Sequence, residues 1–441
     1  MLITGRVPLL LLLGVGAVVL RPEPGTVWLW LLGVLVLVAL DAALCPSPRT
    51  VRLARRPGGS VRLGDASSSE LTLDNVGRRT LPLLVRDAWQ PSAGAGAGGT
   101  DRHRLRLRAG ERTTLTTRLL PTRRGDLRAA GVTVRVRGPL GLACRQRTFD
   151  VPGSVRALPP FGSRRHLPSR LARLRELDGR TAVRTRGQGT EFDSLREYVR
   201  GDDVRSIDWR ASARSTHVVV RTWQPERDRR VVLVLDTSRT SAGRVGGGTE
   251  DDDGTPRLDA AMDAALLLGA LASRAGDRVD LVAGDRTVRL RQRLHGVRDV
   301  AARMQEQMAG LDPVLAETDW DALAGAVQAF GRQRALVVLL TPLETSAVAE
   351  GLLPVLPVLT SYHRVVVASV RDPALQTLAT GEAASLEEVY TSAAAMRELT
   401  RRERLREVLG RSGVDVVDAD AERLPPALAD HYLDLKARGL L

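Results

Sequence analysis

The chain has 441 residues, which is too many for one ordinary hydrophobic core, so two or three domains are expected. Its formal net charge is +14, but the basic residues are spread along the whole chain instead of forming one block, which argues against nucleic-acid binding. Its 2 cysteines and 6 scattered histidines provide neither a disulfide framework nor the spacing of zinc ligands. Lys436 is the single lysine, so the sequence contains no GxxxxGK[ST] phosphate loop.

Two apolar segments, residues 7–20 and 26–44, begin the chain and are separated by a short turn that contains two prolines. Leucine and valine dominate both segments, and each favours membrane insertion by about 0.3 to 0.6 kcal/mol. We therefore predict a transmembrane helical hairpin over residues 1–48. A signal peptide is the competing interpretation, because the first segment has the length of a signal-peptide core. The second apolar segment and the lack of a convincing small-residue cleavage site favour the hairpin.

Basic residues flank the predicted hairpin on both sides. Arg6 precedes the first apolar segment, and Arg49, Arg52, Arg55 and Arg56 follow the second. Under the positive-inside rule, both ends of the hairpin face the cytosol. The sequence therefore predicts a multi-pass protein of the inner or plasma membrane whose soluble domains are cytoplasmic.

Residues 49–160 alternate apolar and polar side chains in several short stretches, such as residues 132–137. This alternation is typical of half-buried antiparallel strands, and turn residues separate the stretches. We predict a small β-sandwich that serves as a spacer between the membrane and the rest of the chain. Residues 161–230 are predicted to be a connector. Within it, residues 164–177 form either a basic amphipathic helix that touches anionic lipid or a solvated helix.

The most informative segment, residues 189–230, combines dense charge with a few apolar anchors. Asp202, Asp203 and Asp208 stand among several arginines, which suggests a loop in which arginine forks grip carboxylates. Three aspartates also fit a metal cluster or an acid/base pair. The number of neighbouring arginines favours the ion-paired interpretation.

This segment resembles the signature of the domain of unknown function 58 family. The matching positions are Glu191, Phe192, Arg196, Tyr198, Gly201, Asp202, Asp203, Arg205, Asp208, Trp209, Ser212, Arg214 and Glu226. Residues 123–125 and 138–142 also resemble the family, although Gly138 and Leu140 stand where Asp and Phe are usual. The resemblance implies that a von Willebrand factor A-like domain follows the signature.

Residues 231–441 alternate apolar strands with helical stretches. The continuous apolar run at 231–235 is typical of a parallel strand that is buried on both faces. Further strands are predicted at 278–283, 286–290, 335–340, 364–370 and 414–417, and helices at 258–274, 296–309 and 320–330. This order predicts an α/β fold with a doubly wound, mainly parallel sheet.

A possible metal site follows the first of these strands. Asp236, Ser238 and Thr240 resemble the DxSxS element of a metal-ion-dependent adhesion site, and Thr318 is the expected hydroxyl from a second loop. Hydroxyl groups and one aspartate are hard oxygen ligands, which suit Mg²⁺. The resemblance implies that an open coordination position on such an ion accepts a carboxylate from a partner.

This site departs from the complete pattern at the next strand end. Pro342 occupies the position where a second aspartate is expected, and only Thr341 or the displaced Glu344 could compensate. The alternative is that Asp236 and Ser238 merely cap the following turn. The sequence leaves metal binding open.

The favoured function is that of a membrane-anchored binding or scaffold protein, not an enzyme. By resemblance, its partner is a MoxR-type AAA+ ATPase that acts in complex assembly, chaperone-like maturation or envelope stress. One alternative is a hydrolase that uses Asp202, Asp203 and Asp208, although the sequence contains no recognisable pairing of base and nucleophile. Another is an extracytoplasmic adhesion protein.

Overall fold

The chain divides into two compact units, Met1–Leu158 and Pro159–Leu441. The computed structural model describes residues 2–96, 99, 101–184, 191–200, 202–224, 229–247, 254–331, 333–381 and 385–441. Of these, residues 178–184, 191–194 and 222–224 are described by their backbone alone.

Unit 1 begins with two apolar helices, α1 (Arg6–Leu20) and α2 (Pro24–Leu44). They pack closely where Gly14 faces Trp30. A Cβ atom at Gly14 would lie only 2.4 Å from the indole ring. The indole N–H of Trp30 donates a hydrogen bond of 3.1 Å to the carbonyl oxygen of Leu10. Glycine is therefore needed at this helix crossing.

Among the described residues, one helix is long and apolar enough to cross a membrane, the segment Pro24–Thr50. The prediction of two membrane spans is not confirmed, because α1 is shorter than the membrane is thick. At 1.5 Å per residue, the 15 residues of α1 extend about 22 Å, which is less than the hydrocarbon thickness of about 30 Å.

The rest of unit 1 consists of two sheets. The strands are β1 (Leu2–Ile3), β2 (Val51–Arg55), β3 (Ser60–Arg62), β4 (Ser67–Asn75), β5 (Leu81–Trp89), β6 (Arg102–Leu107), β7 (Arg112–Leu119), β8 (Gly125–Arg137), β9 (Ala143–Phe149) and β10 (Ser154–Leu158). Strands β2, β4 and β7 form one sheet, and the other seven form the second. One core contains Leu71 and Leu73 of the first sheet together with Val132 and Val134 of the second, so the two sheets pack face to face as in a β-sandwich.

The turn between β8 and β9 is tied to α2 by one buried carboxylate. Asp41 accepts hydrogen bonds of 2.7 Å from the backbone N–H groups of Leu140, Leu142 and Ala143. A Cβ atom at position 138 would lie 2.5 Å from this carboxyl group, so the glycine at the position where aspartate is usual makes room for Asp41.

Unit 2 is built on a six-stranded sheet. The strands of unit 2 are β11 (Glu191–Glu197), β12 (Val219–Gln224), β13 (Arg230–Asp236), β14 (Arg244–Val245), β15 (Thr255–Pro256), β16 (Arg278–Gly284), β17 (Val288–Arg293), β18 (Leu336–Leu340), β19 (Arg364–Val370) and β20 (Val414–Ala419). The strand order in the sheet is β17-β16-β13-β18-β19-β20, with β17 antiparallel and the other neighbours parallel. Strands β11 and β12 form a separate antiparallel hairpin, and β14 pairs with β15.

Helices cover both faces of this sheet. The helices of unit 2 are α3 (Leu167–Arg184), α4 (Trp209–Ser212), α5 (Arg257–Arg274), α6 (Val300–Met308), α7 (Trp320–Gln328), α8 (Thr345–Ala347), α9 (Leu356–Thr360), α10 (Pro373–Thr380), α11 (Leu386–Arg411) and α12 (Leu424–Ala437). Along β13, Leu233 packs in a core with α5 and α12, whereas Val234 packs in a second core with α7 and α11. Both faces are therefore buried, and the predicted α/β arrangement with a mainly parallel sheet is present.

The chain leaves β13 for β16 on one side and returns to β18 on the other. The strand order thus reverses between β13 and β18. In open α/β sheets, ligands bind outside the carboxyl ends of the strands at such a reversal. This point is where Asp236 ends β13.

Candidate functional site

Asp236 is the centre of a buried polar cluster. Its Oδ1 accepts hydrogen bonds from the backbone N–H of Ser238 at 2.9 Å and from the hydroxyl of Thr318 at 2.7 Å. Its Oδ2 accepts hydrogen bonds from Thr240 at 3.1 Å and from Thr341 at 2.7 Å. The carboxylate is only 2% exposed, and these four donors compensate for its lost hydration.

Three segments bring these side chains together. Ser238 and Thr240 lie in the loop after β13, and Thr318 immediately precedes Asp319, the N-cap of α7. Thr341 directly follows β18, whose Leu340 is paired with Leu235 of β13. The pairing of the parallel strands therefore places Thr341 beside Asp236, so all four predicted ligand residues meet at one edge and Thr341 joins them.

The oxygen atoms of this cluster suit Mg²⁺ in kind but provide little charge. Asp236 is the single carboxylate among these five residues, and the Ser238 and Thr240 hydroxyls lie 3.0 Å apart. Among the described residues, no group of three or more His, Cys, Asp or Glu side chains is placed to hold a metal ion. Mg²⁺ that binds with several retained waters would use the Asp236 carboxylate and the hydroxyl lone pairs.

The loop that carries Ser238 and Thr240 also contains an ion-paired arginine. The guanidinium of Arg239 contacts the carboxylates of Glu317 and Glu344, the second at 3.1 Å. The hydrogen bond to Glu317 and the charge of Glu344 raise the pKa of Arg239 above its usual value. Glu344 therefore pairs with Arg239 and does not replace the missing aspartate. The sequence position of Glu344 does not indicate this ion pair, whereas Arg239 lies between Ser238 and Thr240 and could have been considered as its partner.

A second arginine, Arg402 of α11, holds the loop that carries Thr341. Its guanidinium is buried and donates hydrogen bonds to Asp418 at 2.7 Å and Ser369 at 3.1 Å, with a longer one of 3.4 Å to the carbonyl oxygen of Leu343. The Ser369 hydroxyl accepts a hydrogen bond from the N–H of Leu343 at 3.2 Å. Arg402 could not be recognised from the sequence, because one buried arginine within a helix rich in charge looks the same as a solvated one.

The family signature forms the hairpin of β11 and β12 and the segment between these strands. Asp202 accepts two hydrogen bonds from Arg196, at 2.6 and 2.8 Å, and one from the N–H of Val199 at 2.9 Å. Asp203 accepts a hydrogen bond from the N–H of Arg205 at 3.0 Å. Gly201 and Glu226 lie outside the described residues, as do the side chains of Glu191 and Phe192.

Asp208 is the N-cap of the short helix α4. It accepts hydrogen bonds from the N–H groups of Arg210 and Ala211, each 3.0 Å, and from the guanidinium of Arg221 at 2.8 Å. The N–H of Ala211 and the Arg221 side chain lower the pKa of Asp208, and the Arg196 fork lowers the pKa of Asp202. Each of these carboxylates is therefore ionised at neutral pH and is held by its own set of donors.

The other signature residues are placed around these aspartates. The backbone N–H of Tyr198 donates to the carbonyl oxygen of Val218 at 2.8 Å, and the Ser212 hydroxyl donates to the carbonyl oxygen of Asp208 at the same distance. Trp209 and Arg214 are exposed.

Comparison with known proteins identifies a family and a few short matches. The model of the family described as "Protein of unknown function DUF58" matches residues 194–416. The uncharacterized protein Rv1480 of Mycobacterium tuberculosis is 35% identical over 96 residues, which are 21% of this chain and 27% of that protein. The uncharacterized protein Mb1516 of Mycobacterium bovis matches with the same identity and coverage. The match thus spans about a quarter of the length of these curated relatives.

Two solved structures align with a smaller part of the chain. The PapD-like domain 7 of human CEP192 has 17% identity and a TM-score of 0.18, and the alignment covers 26% of this chain and 88% of that domain. The CARDB domain of the PF1109 protein from Pyrococcus furiosus has 19% identity and a TM-score of 0.17, with 23% and 86% covered. The family model, in contrast, covers half of the chain, from Ser194 in the hairpin to Val416 in the sheet. The chain therefore belongs to the DUF58 family.

Proposed function

We propose that this chain is a membrane-anchored binding protein whose unit 2 is a von Willebrand factor A-like headpiece. The observation that carries the proposal is the convergence on Asp236 of hydroxyls from three separate segments at the point where the strand order reverses. A set of loops fixed in this way presents a rigid surface to a partner, and rigidity lowers the entropic cost of binding.

The surface around the cluster has the character of a contact site. Arg239, Glu317 and Glu344 connect the loops at the rim, and Leu315 is 85% exposed beside them in sequence. An exposed leucine among charged groups with fixed positions suits recognition of a protein better than enclosure of a small substrate.

By family resemblance, the expected partner is a MoxR-type AAA+ ATPase, in complex assembly, chaperone-like maturation or envelope stress. A purified ATPase of this class, immobilised and presented with the full-length chain in detergent, provides the test. The variant Asp236→Asn is expected to lose capture, whereas Asp65→Asn, an exposed carboxylate of unit 1, is the matched control and is expected to retain it. Equal capture of both variants would reject the Asp236 surface as the binding site.

The same measurement tests whether Mg²⁺ takes part. If the ion is held by Asp236 and the hydroxyls of Ser238, Thr240 and Thr318, chelation with EDTA abolishes capture and Mg²⁺ restores it. Capture that is unchanged by EDTA would reject metal dependence and leave the hydroxyl-bonded form of Asp236 as the binding state.

Membrane anchoring by α2 is part of the proposal, and a topology experiment decides whether the shorter α1 crosses as well. The exposed side chains of α2 support it, since Trp28, Leu29, Leu32 and Leu35 are all more than half exposed. Reporter fusions at the N-terminus and after residue 160 lie on the same side of the membrane if both helices cross and on opposite sides if one crosses. Alkaline phosphatase activity after residue 160 would reject the cytoplasmic location and favour the adhesion alternative.

The hydrolase alternative gains no support from the geometry of the signature. Asp202 and Asp208 are engaged by separate arginines and backbone donors, and their lowered pKa values suit ion pairing better than proton transfer at neutral pH.

A further inference from the structure

The segment between β11 and β12 contains a short repeat that neither the sheet nor the Asp236 cluster uses. An apolar residue followed by arginine occurs three times at a spacing of five residues, as Val199-Arg200, Val204-Arg205 and Trp209-Arg210. All six side chains are exposed, and the three apolar ones are exposed by 62%, 61% and 67% in this order. We name the described residues of 198–218 the hairpin tip.

The hairpin tip is organised with polar groups inside and apolar groups outside. The Ser212 hydroxyl accepts a hydrogen bond from the N–H of Val219 at 2.9 Å, and the carboxylates of Asp202 and Asp208 accept hydrogen bonds from backbone N–H groups of the tip. These bonds hold the backbone of the tip, while Val199, Val204 and Trp209 remain exposed. Exposed apolar groups on a structured segment indicate a contact surface.

The charge that remains available on the tip is positive on balance, because the exposed Asp203 is outnumbered by Arg200, Arg205 and Arg210. Asp202 is paired with Arg196, and Asp208 is paired with Arg221. In contrast, the side chains of Arg200, Arg205 and Arg210 form no ion pair with a described residue. The surface therefore combines apolar groups with unneutralised arginines.

We propose that the hairpin tip binds the surface of an anionic lipid bilayer. The valines and Trp209 enter the boundary between headgroups and acyl chains, and the adjacent arginines contact lipid phosphates. The spacing favours lipid over a protein partner, because an arginine follows each exposed apolar residue and three other residues separate the pairs, which does not suit the dry centre of a protein interface. The inference rests on the proposed membrane anchor, which raises the local concentration of the tip at the bilayer.

The test uses the full-length chain in lipid nanodiscs. Both native cysteines are buried, so a fluorophore on Val204→Cys reports on the tip alone, and the same fluorophore on Val358→Cys, another exposed valine of unit 2, is the matched control. Spin-labelled lipid in discs that contain phosphatidylglycerol is expected to quench the label at position 204 and to leave the label at position 358 unquenched. Discs of phosphatidylcholine alone are expected to give little quenching at either position.

Removal of the tip charges provides the second arm. At roughly fivefold per arginine, three substitutions lower the binding of the tip to anionic lipid on the order of a hundredfold. The tip variant is Arg200→Gln, Arg205→Gln and Arg210→Gln, and its charge-matched control carries Arg397→Gln, Arg401→Gln and Arg404→Gln on α11. Circular dichroism verifies that the variants fold, and 1 M salt on the unsubstituted chain screens the same charges without any substitution.

The possible results separate the two proposals. A chain that does not insert into nanodiscs overturns membrane anchoring and the lipid contact together. A chain that inserts but shows no quenching at position 204, equal quenching at position 358, or quenching that survives the tip substitutions and high salt overturns the lipid contact alone.

Discussion

The substitution Thr341→Val removes one hydroxyl from the Asp236 cluster and keeps the shape of the side chain. Thr341 is 5% exposed, and its hydroxyl donates to Oδ2 of Asp236 at 2.7 Å. After the substitution, this oxygen retains the longer bond of 3.1 Å from Thr240 as its hydrogen bond. A hydrogen bond to a charged group contributes about 1.5–3 kcal/mol, so we expect the free energy of unfolding of unit 2 to fall by about 2 kcal/mol.

Hydrogen exchange measured by mass spectrometry reads this loss separately from unit 1. For amides of β13 and β18 that exchange through global unfolding, a loss of 2 kcal/mol accelerates exchange roughly thirtyfold. Thr391→Val is the matched control, because this exposed threonine donates only to a carbonyl group of its own helix, and exchange is expected to change little.

A double substitution refines the interpretation. Thr240 and Thr341 donate to the same oxygen, so their effects on the free energy of unfolding are expected to be coupled and not additive. If Thr341→Val exchanges no faster than the control, the hydroxyl does not stabilise the buried carboxylate, and the explanation given for the cluster is refuted. If Mg²⁺ is a ligand, it slows exchange in the unsubstituted chain and does so less in the variant.

Three further predictions concern the hydrogen-bonded side chains of Arg402, Asp41 and Asp208. Arg402→Met leaves Asp418 without its buried partner and is expected to lower the stability of unit 2 by about 3 kcal/mol in urea unfolding; a loss below about 0.5 kcal/mol would contradict this. Asp41→Ala leaves three backbone N–H groups without their acceptor, so the turn after β8 is expected to be cleaved faster in limited proteolysis, and an unchanged cleavage pattern would show that the clamp is dispensable. The pKa of Asp208 is lowered in the folded chain. Its contribution to the stability of the tip is therefore complete above the unfolded pKa of about 3.9 and is lost as the pH falls through the lower folded value. Amide exchange at Ala211, corrected for its intrinsic pH dependence, should rise only in that acidic range.

The amino-acid sequence by itself determined that strands and helices alternate in residues 231–441, although it did not predict the hairpin of β11 and β12. The apolar run in β13 is typical of a strand that is buried between two helical layers. The polar Asp236 that ends this run therefore lies at the carboxyl end of the strand. The density of arginine around Asp202 and Asp208 likewise predicted ion pairing over the stretch of sequence where the pairs are found. These conclusions depend on residues that are close together in the sequence, so a short stretch of it contains all the information that they need.

The tertiary structure alone decided which distant side chains meet. Register between β13 and β18 selects Thr341 and not Glu344 as the neighbour of Asp236, and the packing of α11 brings Arg402 to the loop that carries Thr341. The hairpin tip shows the same limit, because the sequence contains the repeated valine, tryptophan and arginine side chains but not their exposure. Contacts between residues far apart in the chain depend on strand register and helix packing, and these are properties of the whole fold.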